Sequence, residues 1–172
     1  MDRDGVINKE VSYCHKQEDF EFIDGVFPAL RKFQDLGYLL IIVTNQAGIA
    51  RGYYTNAQYE ALTLWMCNKL TEQGIKIARV YHCPHHPDGM GTFALECACR
   101  KPKPGMLLQA QRDFDINMEK SILIGDKVSD VEAGFAAGVK RCYLVRTGHN
   151  LPSTTYNCPI FDGLNELIKT FV

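Results

Sequence analysis

No apolar run in this sequence approaches the roughly 20 residues that a bilayer-spanning helix requires, so a membrane-embedded protein is not expected. Charge of one sign is also missing. The 19 Lys and Arg stand against 20 Asp and Glu, for a formal net charge of −1. Such a balance gives no general attraction to nucleic acid or to an anionic lipid surface, and neither is expected as a partner. Any anion site must be built from a few local cations. The N-terminus lacks the basic-then-apolar order of a secretory leader, which makes the cytoplasm the expected compartment. Internal repeats and low-complexity tracts are absent as well.

What is present reads as a soluble α/β chain. At 172 residues, with 46% hydrophobic and 23% charged, it is long enough for one domain with a sizeable core. Short apolar runs alternate with helical patterns, the signature of a parallel sheet flanked by helices. Residues 38–44 are apolar on both faces, as a buried central strand should be, and 78–83, 121–125 and 140–145 are further expected strands. Asp24 is the expected cap of a helix stopped by Gly37, and Thr55 with Gln58 makes a capping box for a helix to about Gln73. Gly105 opens a helix to about Phe114, Ser129 is expected to cap one ending at Gly138, and Asp162 to begin the last.

Four short segments, each ending or following an expected strand, carry different chemical parts. Asp2-Arg3-Asp4-Gly5 puts two carboxylates two residues apart, where one can be a nucleophile and the other an acid and base. Asp-Gly is also a common turn pair, so alone the motif decides little. Thr44 follows the most apolar strand with a hydroxyl, and the backbone amides after it can line an anion site. Lys101, in Arg100-Lys101, can neutralise a phosphoryl group, although such a pair alone reads as a surface patch. Asp126 leaves the end of an apolar strand and Asp130 stands four residues on, a set suited to Mg²⁺, which takes few carboxylates. In an open parallel sheet, ligands bind beyond the carboxyl ends of the strands, and all four segments fall at such ends.

In this combination (DxDG at residues 2–5, a strand-end Thr44, Lys101, and GDxxxD closing on Asp126 and Asp130) the chain resembles the haloacid dehalogenase superfamily of phosphatases over almost its whole length. The resemblance implies a single Rossmann-like α/β domain over residues 1–172. It implies Asp2 as the nucleophile that forms an aspartyl-phosphate, Asp4 as acid and then base, and Thr44 and Lys101 as holders of the phosphoryl oxygens. Mg²⁺ would be bound by the Asp2 side chain, the Asp4 backbone carbonyl and Asp126, with Asp130 behind them. Too few residues lie between the motifs for a large cap domain. The site should therefore be open, with walls from Glu10, Val11, Ser12 and Tyr13, from residues 45–52, and from the Cys-rich loop.

The segments DRDGVIN, FEFIDGV, TNQAGIARG, CPHHP, CRKPKPGM, GDKVSD and LVRTG carry the resemblance further, to the D-glycero-D-manno-heptose 1,7-bisphosphate phosphatases. That family implies removal of the 7-phosphate from a small sugar bisphosphate, in making nucleotide-activated heptose for bacterial surface polysaccharide. Arg100 and Lys127 would recognise the remaining charge and Asn45 and Gln46 the sugar hydroxyls. Arg51 and Ala47 lie on the same stretch; Arg51 reads equally as a further phosphate contact and as a salt-bridged surface arginine. A monomer is expected. Histidinol-phosphate phosphatases share the acid motifs and the Cys-rich loop and are the alternative; the basic pair Arg100 and Lys127 favours a bisphosphate. A zinc-held interaction module without catalysis is another, against which the intact Asp2, Asp4, Lys101 and Asp126 argue. A nucleic-acid 3′-phosphatase is disfavoured by the neutral overall charge.

Residues 84–104 are rich in Pro, Cys and His and show no periodicity, as in a functional or metal-held loop. Cys83, His85, Cys97 and Cys99, spaced C-x-H and C-x-C, suit a closed tetrahedral Zn²⁺ site of structural type, which would order residues 83–101. His86 is the alternative imidazole; the spacing and the family pattern favour His85. Cys14, Cys67, Cys142, Cys158, His15, His82 and His149 are read as ordinary core or surface residues, and Trp65 as core. The family pattern places a short apolar strand before the first aspartate, whereas only Met1 precedes Asp2. Residues upstream of Met1 are therefore expected to be missing from this sequence.

Overall fold

A computed structural model describes residues 1–151 and 158–171. Two sets of parallel strands form the sheet layer. In the first, β1 (Leu40–Asn45) pairs with β2 (Ile77–Cys83), from Leu40 opposite Ile77 to Asn45 opposite Cys83, with a register slip after Leu40. In the second, β3 (Ile122–Gly125), β4 (Arg141–Val145) and the two-residue β5 (Ile160–Phe161) pair in that order. Met1 and Asp2 run between the sets. The Met1 amino group donates to Ile41 O at 2.9 Å, Val43 N donates to Met1 O at 2.9 Å, and Asp2 N donates to Ile124 O at 2.9 Å. Beside them a cavity of about 320 Å³ opens between β1 and β3, lined by Ile41, Leu107, Ala110 and Ile122 among others.

Ile42 and Val43, both fully buried, belong to two different core clusters. Successive strand residues point to opposite faces, so apolar neighbours on β1 require cover on both sides. One face is covered by α1 (Val26–Asp35), α3 (Asn56–Glu72) and α6 (Leu164–Leu167) through Leu30, Met66 and Leu167; the other by α4 (Gly105–Phe114) and α5 (Val128–Ala136) through Leu107 and Val131. This is the expected α/β architecture. Among the described residues, no helix is long and apolar enough to cross a membrane.

Helix ends follow the sequence at some places and depart from it at others. Thr55 and Gln58 form the capping box of α3, and Gly37 closes α1 with φ of 84°. Asp24 does not cap α1: Gly25, at φ 81°, is the N-cap, and no side chain caps it. Ser129 lies inside α5, whose first turn is instead satisfied by Asp130 Oδ2 accepting from Lys127 N at 3.0 Å. The last helix starts at Leu164, after β5, and Asp162 stands before it. A single turn, α2 (Ala47–Ala50), follows β1 directly and carries residues 47–50 over the strand ends.

Candidate active site

Asp2 emerges at the carboxyl end of the sheet, between β1 and β3, with its side chain 8% exposed. Lys101 Nζ lies 3.0 Å from Asp2 Oδ2, 2.6 Å from Asp130 Oδ1 and 2.8 Å from Val43 O. Three partners match the three donors of an ammonium group. Burial works against the Lys101 charge, but attraction to Asp130 and Asp2 outweighs it and raises its pKa above the usual lysine value. Asp2 is pushed up to about 6, first by burial and then by Asp130 and Asp4, against the pull of Lys101.

Asp4 is held by three side chains. Arg3 Nη2 donates to its Oδ1 at 2.8 Å, Asn8 Nδ2 to Oδ1 at 3.0 Å, and Gln46 Nε2 to Oδ2 at 3.0 Å. Burial disfavours the Asp4 carboxylate, yet the Arg3 charge and these hydrogen bonds win and keep its pKa below the ordinary range. Arg3 is itself buried, donates to Cys14 O at 3.0 Å and stacks its guanidinium over the Tyr59 ring. The chain folds back here through Gly5, whose φ of 79° and lack of a Cβ admit Asp126 alongside.

Asp126 is completely buried at the end of β3. Its Oδ2 accepts from His149 N at 3.0 Å and from His149 Nδ1 at 2.7 Å, while its Oδ1 has no partner among the described residues. Carboxylate oxygens of Asp2, Asp126 and Asp130 lie within 4.8 Å of one another. A buried, orphaned carboxylate oxygen beside two further carboxylates costs free energy unless something positive meets it. The donor set, all hard oxygen, fits Mg²⁺.

Above this acid centre lies a cavity of about 530 Å³. Of the residues named from sequence, Asp2, Asp4, Glu10, Ser12, Tyr13, Thr44, Asn45, Gln46, Ala47, Arg51, Arg100, Lys101, Lys127 and Asp130 line it. Val11 does not; it is 46% exposed and outside the lining. Two amides expected to read sugar hydroxyls are engaged with the protein. Asn45 grips the Lys101 backbone, accepting from its N–H at 3.1 Å and donating to its carbonyl at 3.0 Å. Gln46 donates to Thr44 Oγ1 at 2.9 Å as well as to Asp4, and accepts from Tyr54 at 2.5 Å. Thr44 keeps its own hydroxyl proton to donate. His149 and His86 also line the cavity, the latter 3.3 Å from Arg51 Nη2. From sequence, His149 reads as an ordinary residue and His86 as a spare zinc ligand; the signal for a site role is that His149 directly follows the LVRTG segment.

At the end of β2, the Sγ atoms of Cys83, Cys97 and Cys99 lie 3.2–3.4 Å apart, and His85 Nδ1 is 3.3 Å from Cys99 Sγ. None of these cysteines is in a disulfide. Three thiols and one imidazole converging on a point is a donor set that fits Zn²⁺ with no open position. His86 turns to Arg51 instead. Arg100 Nη1 donates to His85 O at 3.3 Å, so the cluster and the basic pair are one local structure.

Comparison with known proteins agrees with this geometry. The HAD-hydrolase-like family profile matches residues 98–166. The chain is 51% identical, over 98% of its length and 93% of the relative's, to the D-glycero-alpha-D-manno-heptose-1,7-bisphosphate 7-phosphatase of Photorhabdus laumondii. It is 50% identical, over 86% of its length and 80% of the relative's, to the D-glycero-beta-D-manno-heptose-1,7-bisphosphate 7-phosphatase of Haemophilus influenzae. Among solved structures, the D,D-heptose 1,7-bisphosphate phosphatase of B. bronchiseptica, complexed with magnesium and phosphate, superposes with a TM-score of 0.83 at 28% identity, covering 98% of this chain and 94% of that one. The chain belongs to the haloacid dehalogenase-like hydrolases and, within them, to the family of heptose-1,7-bisphosphate 7-phosphatases.

Proposed function

We propose that this chain hydrolyses the 7-phosphate of D-glycero-D-manno-heptose 1,7-bisphosphate through an aspartyl-phosphate on Asp2. The carrying observation is that one cavity holds the Asp2–Lys101–Asp4 base and, on its walls, three further cations: Arg51, Arg100 and Lys127. A substrate with two phosphates needs two sets of cations, one where phosphorus is attacked and one where the other phosphate rests. A monophosphate carrying an amine, such as histidinol phosphate, would leave the second set without a partner, and the names of the relatives point the same way.

Asp2 Oδ attacks phosphorus, and Lys101 and the Thr44 hydroxyl hold the equatorial oxygens. Lys101 need not move far, because it already spans Asp2 and Asp130. The Arg3 pair keeps Asp4 ionised at rest, the form that takes a proton from water when the intermediate is cleared. For the first half, the incoming phosphoryl charge raises the Asp4 pKa, so that Asp4 takes up a proton from solvent as substrate binds and passes it to the leaving sugar oxygen. Asp2, Asp126 and the Asp4 carbonyl would hold Mg²⁺, which when bound supplies charge neutralisation between carboxylate and phosphate. Cys83, His85, Cys97 and Cys99 would hold Zn²⁺ as a structural ion that orders the loop delivering Arg100 and Lys101.

Phosphate release from the alpha and beta heptose bisphosphates and from histidinol phosphate, with and without Mg²⁺, tests this reading. Activity on at least one heptose anomer is expected to exceed that on histidinol phosphate by about 100-fold or more, and Asp2→Asn to lose about 10³-fold or more in kcat. A clear preference for histidinol phosphate would refute the assignment.

A further inference from the structure

We propose that His149 is a positioning residue for the metal: it fixes one oxygen of Asp126 so that the other is free for Mg²⁺. The inference rests on the Mg²⁺ reading above.

Asp126 has two carboxylate oxygens with opposite fates. Oδ2 receives two donors from a single residue, the His149 backbone N–H at 3.0 Å and ring Nδ1 at 2.7 Å. Oδ1, equally buried, receives none among the described residues. A carboxylate accepts only, so Nδ1 must carry the proton and the imidazole tautomer is fixed. The two donors pin the carboxylate plane; rotation about Cβ–Cγ would break both. Without them, Asp126 could turn Oδ2 toward the ion or swing away, and the buried oxygens would have no defined order.

The surrounding backbone is arranged for the same end. Thr147 Oγ1 donates to Gly5 O at 2.6 Å, which ties the segment after β4 to the acid motif. Gly148 lies against Asp126 so closely that a Cβ there would overlap the carboxylate. The Thr147-Gly148-His149 segment therefore clamps Asp126 to the turn that carries Asp2 and Asp4. The His149 ring also stands 3.8 Å from Glu10 Oε2, beyond hydrogen-bond reach, while Glu10 Oε1 is already taken by Ser12 N at 2.6 Å. Asp126 is thus the group that the ring serves. The ring is 42% exposed, so its removal should not unfold the chain.

Partners that orient a metal ligand typically contribute 10- to 100-fold to metal affinity. Calorimetric titration of Mg²⁺-free, zinc-loaded protein with Mg²⁺ gives the readout independent of turnover. His149→Ala keeps the backbone donor and is expected to weaken Mg²⁺ binding about 10-fold, with the Mg²⁺ concentration for half-maximal activity rising in parallel. His149→Asn places an amide N–H where Nδ1 stood and should restore affinity to within about threefold of wild type. His149→Gln places its amide one atom further out and should behave like His149→Ala. If the Ala variant fails to fold, the Asn and Gln pair makes the same comparison. Equal Mg²⁺ affinity in wild type and His149→Ala, or no difference between Asn and Gln, would overturn the inference alone. A wild-type protein that binds no Mg²⁺ would overturn the metal site and the inference together.

Discussion

Asp2, Asp126 and Asp130 share a buried space with one lysine, and their charges do not cancel. Buried like charges without enough opposite charge are unfavourable, and Asp2 records this. Its carboxyl sits at about 6, raised first by burial and then by Asp130 and Asp4 against the pull of Lys101. An acid whose pKa is higher folded than unfolded holds its proton more tightly in the native state. Stability therefore falls as pH rises through the window from the ordinary value of 3.8 to about 6. Asp2→Asn lacks this titration and differs by a constant offset. In zinc-loaded protein freed of Mg²⁺, urea unfolding from about pH 4 to about pH 6.5 should show wild type losing stability relative to Asp2→Asn, and saturating Mg²⁺ should remove or reverse that slope. Parallel profiles without Mg²⁺ would mean that Asp2 is not the strained group.

The loop from Cys83 to Lys101 behaves as an element although it has almost no regular structure. It is fastened at one end by the Cys–His cluster and at the other by Asn45, which grips the Lys101 backbone. With Arg100 bonded to His85 O, loss of the cluster should release both basic residues from the site. Cys97→Ala is expected to lose zinc, by atomic absorption, and about 100-fold or more of the activity together; a zinc-free variant with full turnover would refute the coupling. Most elements were legible in the sequence. The runs that became β1 to β4 are long enough for their apolar pattern to declare them, and the acids at their ends converge as the topology of a parallel sheet requires. β5, at two residues, is too short to show a period, and the Gly25 cap is a backbone conformation rather than a side-chain signal. His149 was illegible for a different reason. It meets Asp126 only because the chain returns, 23 residues later, through β4 and the Thr147-Gly148 turn.

At the scale of the whole molecule, β1 is packed on its two faces by separate helical layers. On the Val43 side the layer is closed by α4 and α5, through Leu107, Val131 and Ala133 among others. Interiors packed to the density of organic crystals leave little room for added volume. Ala133 on α5 is fully buried in that layer. Ala133→Leu should therefore overpack the core and lower the unfolding free energy by roughly 1–3 kcal/mol. Denaturant unfolding of wild type and variant decides the matter: equal stability would mean that α5 has slack against the sheet.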